Sequence, residues 1–241
     1  FPYNEENFIL KGISFSLSEG ESLAIIGATG SGKSTLVNTL CRFYDIQKGN
    51  ILFDGKPIKS INKYDLRRQI ALVQQDVFLF SGNISDNIRL GNQHIVQEEI
   101  ESISQSVSAH KFISNLPFKY EQELKDGGVG ISSGQMQLIS FARALASNPR
   151  ILVLDEATSS VDLETESQIQ SGIQELIRER TSIIIAHRIS TLMYADKILV
   201  LKHGQIVEFG FRKELLQQKG IFYKLCQSQL QSQSLTSDNV E

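Results

Sequence analysis

Cysteine is scarce in this 241-residue sequence: there are only two, Cys41 and Cys226, far apart along the chain. No structural disulfide is expected between them, and so few thiols suit a reducing compartment. No stretch approaches the run of about 18 apolar residues that a membrane-crossing helix needs, and no secretory signal opens the chain. A basic surplus is missing too. Lys and Arg total 24 against 27 Asp and Glu, a net charge of -3, so no nucleic-acid partner is expected. Internal repeats are absent. The sequence begins on Phe1 rather than Met, and we expect it to be a segment of something longer. Its length suits one large domain, or a core with a subdomain, able to bury a substantial apolar interior.

What is present is sharper. Gly27-Ala28-Thr29-Gly30-Ser31-Gly32-Lys33-Ser34 follows a short apolar run, Leu23 to Ile26, and precedes a helical pattern in which Leu36, Val37, Leu40 and Cys41 share one face. Glycines at this spacing let backbone N–H groups approach an anion with no Cβ in the way. Lys33 supplies a point charge for terminal phosphates, Ser34 a hydroxyl suited to Mg²⁺, and the helix the positive end of its dipole. Strand, loop and helix occur in the order that triphosphate binding requires.

The remaining elements alternate between strand and helix. Phe8 to Leu17 alternates loosely, and Ile51 to Ile58 reads as a hairpin turning at Asp54-Gly55. Val96, Ile100, Ile103 and Val107 recur at helical spacing, with Glu98, Glu99 and Glu101 expected on a solvated face. Buried strands are predicted at Ile151–Leu154, Ile183–Ala186 and Ile198–Leu201, with a helix from Glu164 to Glu179 between the first two. This β-α-β rhythm predicts a parallel sheet covered by helices. Beyond Cys226 the Ser- and Gln-rich composition predicts a disordered tail.

Two further segments carry phosphate chemistry. Asp155 and Glu156 emerge at the end of an apolar strand, where a carboxylate is costly unless it meets a cation or donors. Asp155 therefore suits hydrated Mg²⁺, and Glu156 suits a nucleophilic water. Ile131-Ser132-Ser133-Gly134-Gln135 opens a helix carrying Leu138, Phe141, Ala142 and Leu145, which should stop at Ser147-Asn148-Pro149. That places a second donor-rich helix start in the chain.

From Tyr3 to about Leu225 the sequence resembles the nucleotide-binding domain of an ABC transporter, specifically an exporter. Gly27 to Ser34 matches its Walker A motif, Ile151 to Glu156 its Walker B, and Leu72 to Asp76 its Q-loop, with Gln75 as the glutamine. Ile131 to Gln135 resembles the signature motif, Ser159 to Asp162 the D-loop, and Ile185 to Arg188 the switch-histidine region. Phe78 to Ile84, followed by Asp86-Asn87-Ile88, is similar to the exporter branch.

The resemblance implies an α/β P-loop NTPase (RecA-like) core with a mainly parallel sheet, an N-terminal antiparallel β-subdomain and an inserted α-helical subdomain. The implied divisions are 1–82 (core, antiparallel subdomain, Walker A), 83–147 (helical subdomain and signature), 148–225 (rest of the core) and 226–241 (tail). It implies ATP held by Gly27, Thr29, Gly30, Ser31, Gly32, Lys33, Ser34 and Thr35, with Tyr3 stacked on adenine. Mg²⁺ would be held by Ser34, Gln75 and Asp155. Catalysis is assigned to Glu156, with Gln75 and His187 supporting it. Ser132, Ser133, Gly134, Gln135 and Asp162 would meet ATP across a head-to-tail interface with a second such domain, identical or different. The implied partner is a transmembrane domain of the same transporter, and the implied place is the cytoplasmic face of a cell membrane.

The pattern departs in places. Ser133 stands where the signature usually has glycine, Met136 where a basic residue is usual, and Asp126-Gly127-Gly128 where Glu-Arg-Gly is common. The alternatives are a soluble ABC-type ATPase acting on nucleic acid or ribosomes, and a non-hydrolytic scaffold. The about 120 residues between Lys33 and Asp155 and the mildly acidic balance argue against the first, and Glu156 and His187 against the second.

Overall fold

The structure is a computed structural model that describes residues 8–125, 127–155, 163–186 and 188–228. The strands are β1 (Ser22–Ile26), β2 (Leu52–Phe53), β3 (Lys56–Pro57), β4 (Ile70–Val73), β5 (Gly82–Asn83) and β6 (Glu123–Leu124), then β7 (Ile151–Asp155), β8 (Thr181–Ile185), β9 (Lys197–Lys202) and β10 (Gln205–Phe211). The helices are α1 (Lys33–Leu40), α2 (Lys63–Arg68), α3 (Ile84–Arg89), α4 (Gln97–Ser106) and α5 (His110–Ile113), then α6 (Ser133–Ala146), α7 (Leu163–Ile177), α8 (Ile189–Leu192) and α9 (Arg212–Gln218). The chain divides into two compact units, one built from 1–49 with 183–241 and the other from 50–182.

In the first unit the strands run in the order β10-β9-β1-β8. β1 pairs parallel with β9, Leu23 opposite Lys197 and Ile26 opposite Val200, while β10 returns antiparallel along β9. All five residues of β1 are buried, the pattern of a strand covered on both faces. Each fully buried Leu or Ile there contributes roughly 1.5–3 kcal/mol. Leu36, Val37 and Cys41 of the following helix are also buried, as their shared face predicts. At the start of β1, Ser22 Oγ and N both bond the Asp196 carboxylate, at 2.7 and 2.9 Å, fixing the register to the chain entering β9.

Residues 8–17 carry no strand. Gly12 sits at φ +62°, and Lys11 N donates to Gly204 O at 2.7 Å. Loose alternation was not enough to form a ladder. At the other end, helix persists over 221–228, past Cys226. The Glu208 carboxylate accepts the N–H groups of Ile221 and Phe222, satisfying donors that a helix start leaves open. The rest of the predicted tail, 229–241, lies outside the described residues.

In the second unit β4 and β7 pair parallel, Ile70 opposite Ile151 and Val73 opposite Leu154. The predicted hairpin is β2–β3, with Asp54 and Gly55 both at positive φ, as a two-residue turn with the twist of its strands requires. Helix α4 buries Ile100 on one side and exposes Glu98 and Glu99 on the other. Val96 stays exposed because it is the N-cap, one residue outside the helix. Helix α6 buries Leu138, Ile139, Phe141 and Ala142 and ends at Ser147, with Asn148 left-handed before Pro149.

Candidate functional site

The phosphate loop grows out of β1. Gly27 must be glycine: a Cβ there would overlap the Leu201 carbonyl oxygen and stand 2.7 Å from Ser31 Oγ. Ser31 N closes the loop on Ala28 O at 3.0 Å, and Ser31 O accepts from Gly204 N at 3.0 Å. Lys33 opens α1 and curls back, its ammonium donating to Gly27 O at 2.7 Å and Ala28 O at 3.2 Å. Only 8% of Lys33 is exposed, so a cation is held almost out of water by the loop's own carbonyls. Gly32 caps α1 without a side-chain bond, and no acid sits in the first turn. The open N–H groups of that turn and the lysine therefore give the loop a net positive character.

Ser31 adds a second sign of fit. Its Oγ is buried and has no hydrogen-bond partner among the described residues, a condition that costs roughly 1–3 kcal/mol in a folded protein. A phosphate oxygen would satisfy it. Ser34 is exposed and Thr35 half-buried, both on the first turn of the same helix. We predict that Gly27→Ala lowers stability by roughly 1–3 kcal/mol through overpacking and removes ATP binding. A thermal melt with and without ATP checks this, and a wild-type response to ATP would contradict it.

In the second unit, Gln75 and Asp155 leave the same end of the β4–β7 pair. Asp155 is the last residue of β7 and half-buried, while Gln75 lies two residues past β4 and is exposed. Each carries a side-chain oxygen of the hard kind that Mg²⁺ takes. Among the described residues no cluster of three or more His, Cys, Asp or Glu gathers to hold a metal by itself.

The signature residues lie at the start of α6. Ser132 Oγ accepts from Gln135 N at 3.2 Å, and Gln135 Oε1 accepts from Ser132 N at 3.1 Å, a reciprocal capping box. Such a cap is worth about 1 kcal/mol to the helix. Ser133 and Gly134 form its first turn. Tyr3, Glu156, Asp162 and His187 lie outside the described residues. Gly204 was not foreseen as part of the site. Its only sequence signal is a turn-type His203-Gly204 pair between two apolar runs.

Loop, helix dipole, buried lysine and strand-end carboxylate define a P-loop nucleotide-binding protein. The chain belongs to the ABC transporter family: the family model described as "ABC transporter" matches residues 10–159. It is 47% identical over 95% of its length to the uncharacterized ABC transporter ATP-binding protein YknV of Bacillus subtilis, covering 38% of that protein. It is also 47% identical, over 93% of its length, to a Staphylococcus aureus protein provisionally named a multidrug export ATP-binding/permease protein, covering 39% of it. Among solved structures it is similar to a bacterial Atm1-family ABC exporter with ATP bound. The TM-score is 0.86 and the identity 38%, over 95% of this chain and 40% of that one. The chain thus spans about two fifths of the length of these relatives, and it is a nucleotide-binding domain of the exporter type.

Proposed function

We propose that this chain binds and hydrolyses ATP as the motor of an exporter, working in head-to-tail pairs beneath a transmembrane domain at the cytoplasmic face of a membrane. The observation that carries this reading is the buried Lys33 ammonium curled over the phosphate loop beside an unsatisfied Ser31 hydroxyl. Both gain partners when a triphosphate enters. In this reading Gly27, Thr29, Gly30, Ser31, Gly32, Lys33, Ser34 and Thr35 grip the phosphates, and Tyr3 stacks on adenine.

Ser34, Gln75 and Asp155 would hold Mg²⁺, which would supply charge neutralisation at the phosphates. Glu156 accepts a proton from the attacking water, whose oxygen bonds to the γ-phosphorus as the bond to the leaving ADP oxygen breaks. Gln75 orients that water, and His187 donates a hydrogen bond to the γ-phosphate. Ser132, Ser133, Gly134 and Gln135, with Asp162, face the nucleotide of the second domain. The ATP-binding/permease names of the relatives and their greater length support a transmembrane partner.

Phosphate release by the purified chain tests the reading directly. Turnover with ATP and Mg²⁺ is expected, together with a shift from monomer to dimer on size-exclusion chromatography when ATP is added. Absence of both ATP binding and turnover would overturn it. A stable dimer without nucleotide would contradict the ATP-driven pairing.

A further inference from the structure

The stretch that follows Gln75 has an unusual backbone. Phe78, Leu79 and Phe80 belong to no helix or strand, yet four of their main-chain polar groups are engaged, and the partners come from elsewhere in the second unit. Phe78 O accepts from Arg143 Nη1 at 2.9 Å. Leu79 O accepts from Gly127 N at 3.2 Å. Phe80 N donates to Asn87 Oδ1 and Phe80 O accepts from Asn87 Nδ2, both at 2.8 Å, so one amide side chain pairs with this residue as a neighbouring strand would. Arg143 then closes the set, donating through Nε to Asn87 O at 2.8 Å and through Nη2 to Asn87 Oδ1 at 3.0 Å.

Arg143 stands on α6, ten residues after Ser133. Its guanidinium also lies over the Phe80 ring, 5.5 Å from the centroid. Among the described residues its hydrogen bonds go to neutral acceptors, and burial lowers its pKa from the ordinary arginine value. A planar fork with several donors is needed to reach three acceptors at once, which a lysine cannot do. Asn87 is 2% exposed, so its amide is committed to this arrangement. Outside the clamp, Phe78 and Phe80 face solvent at 54% and 51% exposure, their rings edge to face at 5.3 Å. Two large apolar side chains thus stand on an arm whose backbone is fixed to the signature helix.

We propose that Arg143 and Asn87 are positioning residues that make the Phe78–Phe80 arm and α6 a single moving body, so that displacement of the exposed arm is carried to the nucleotide-facing start of α6. This rests on the reading of that helix as the one that closes over a nucleotide. Gly127, which bonds Leu79, begins the loop leading into Ser132, giving the arm a second mechanical connection to the same helix end.

Amide hydrogen exchange on the purified chain, with Arg143→Ala and Arg143→Lys, tests the clamp without relying on activity. In Arg143→Ala, the amides of Phe80 and of Met136 in the first turn of α6 should both exchange at least about tenfold faster, while those of β7 stay at wild-type rates. ATP affinity should stay within about twofold of wild type and kcat should fall about fivefold or more with KM unchanged. Arg143→Lys should give intermediate exchange rates, and it carries the test if the alanine variant does not fold. Faster exchange at Phe80 alone, with the start of α6 unchanged, overturns the proposal, as does a wild-type kcat. A wild-type chain that hydrolyses no ATP would instead defeat the functional reading, and the exchange rates would still decide the clamp.

Discussion

Glu156→Gln is expected to lower ATP hydrolysis at least about 100-fold while ATP still binds, since a positioned general base contributes roughly 10²–10⁴-fold. Glutamine keeps the size and planarity of the side chain, so the site retains its shape. Its amide cannot take the proton that the attacking water must lose. The change also removes a negative charge beside the triphosphate, which favours ATP retention. ATP-bound dimers should therefore accumulate, visible by size-exclusion chromatography as a larger and longer-lived dimer fraction than wild type gives with ATP. Turnover at the wild-type rate would move the base elsewhere, with His187 and Gln75 the first positions to vary.

Lys33→Ala should fail one step earlier, at binding. Charge-assisted hydrogen bonds are worth roughly 1.5–3 kcal/mol each, so ATP affinity should drop about ten- to a hundredfold, with hydrolysis lost. The distinguishing measurement is the thermal midpoint. Ligand-free chains should melt close together, because the loop carbonyls that accept from Lys33 at 2.7 and 3.2 Å can be reached by water once the side chain is gone. Wild type should be stabilised by ATP, by about 2.7 kcal/mol at a hundredfold excess over Kd, and the variant should not. Equal stabilisation of both chains would remove Lys33 from the phosphate site. Opposite binding outcomes in the two variants separate a base from a phosphate ligand.

How much of this was legible before the structure depends on the range of the interactions involved. The phosphate loop was readable because its chemistry is local: glycine spacing, a lysine and a helix start fall within eight residues, and the run Leu23 to Ile26 before them is apolar throughout. The place of Asp155 was readable because the apolar run Ile151 to Leu154 predicts a buried strand, and β7 ends on that carboxylate. Ser132 and Gln135 carried a Ser-x-x-Gln pattern that announces a capping box, and the structure closes that box at both bonds. The Arg143 clamp was not readable. An arginine among apolar helix residues looks like a solvated head on a buried stem, whereas its acceptors lie 56 and 65 residues away. Residues 8–17, which alternate only loosely, form no strand.

Two hairpin tips in this chain have the same left-handed shape, Asp54-Gly55 and His203-Gly204. Around Gly55 a Cβ would meet nothing within 4 Å, and the ion pair from Asp54 to Arg150, at 2.7 Å, is exposed. Gly204 is confined: a Cβ would overlap Ile9 O, its N–H holds Ser31 O, and its carbonyl holds Lys11 N. The first tip can drift in length, accept a tag or be cut with little consequence. The second is a fixed spacer behind the phosphate loop, and a single inserted residue there would be felt at the nucleotide.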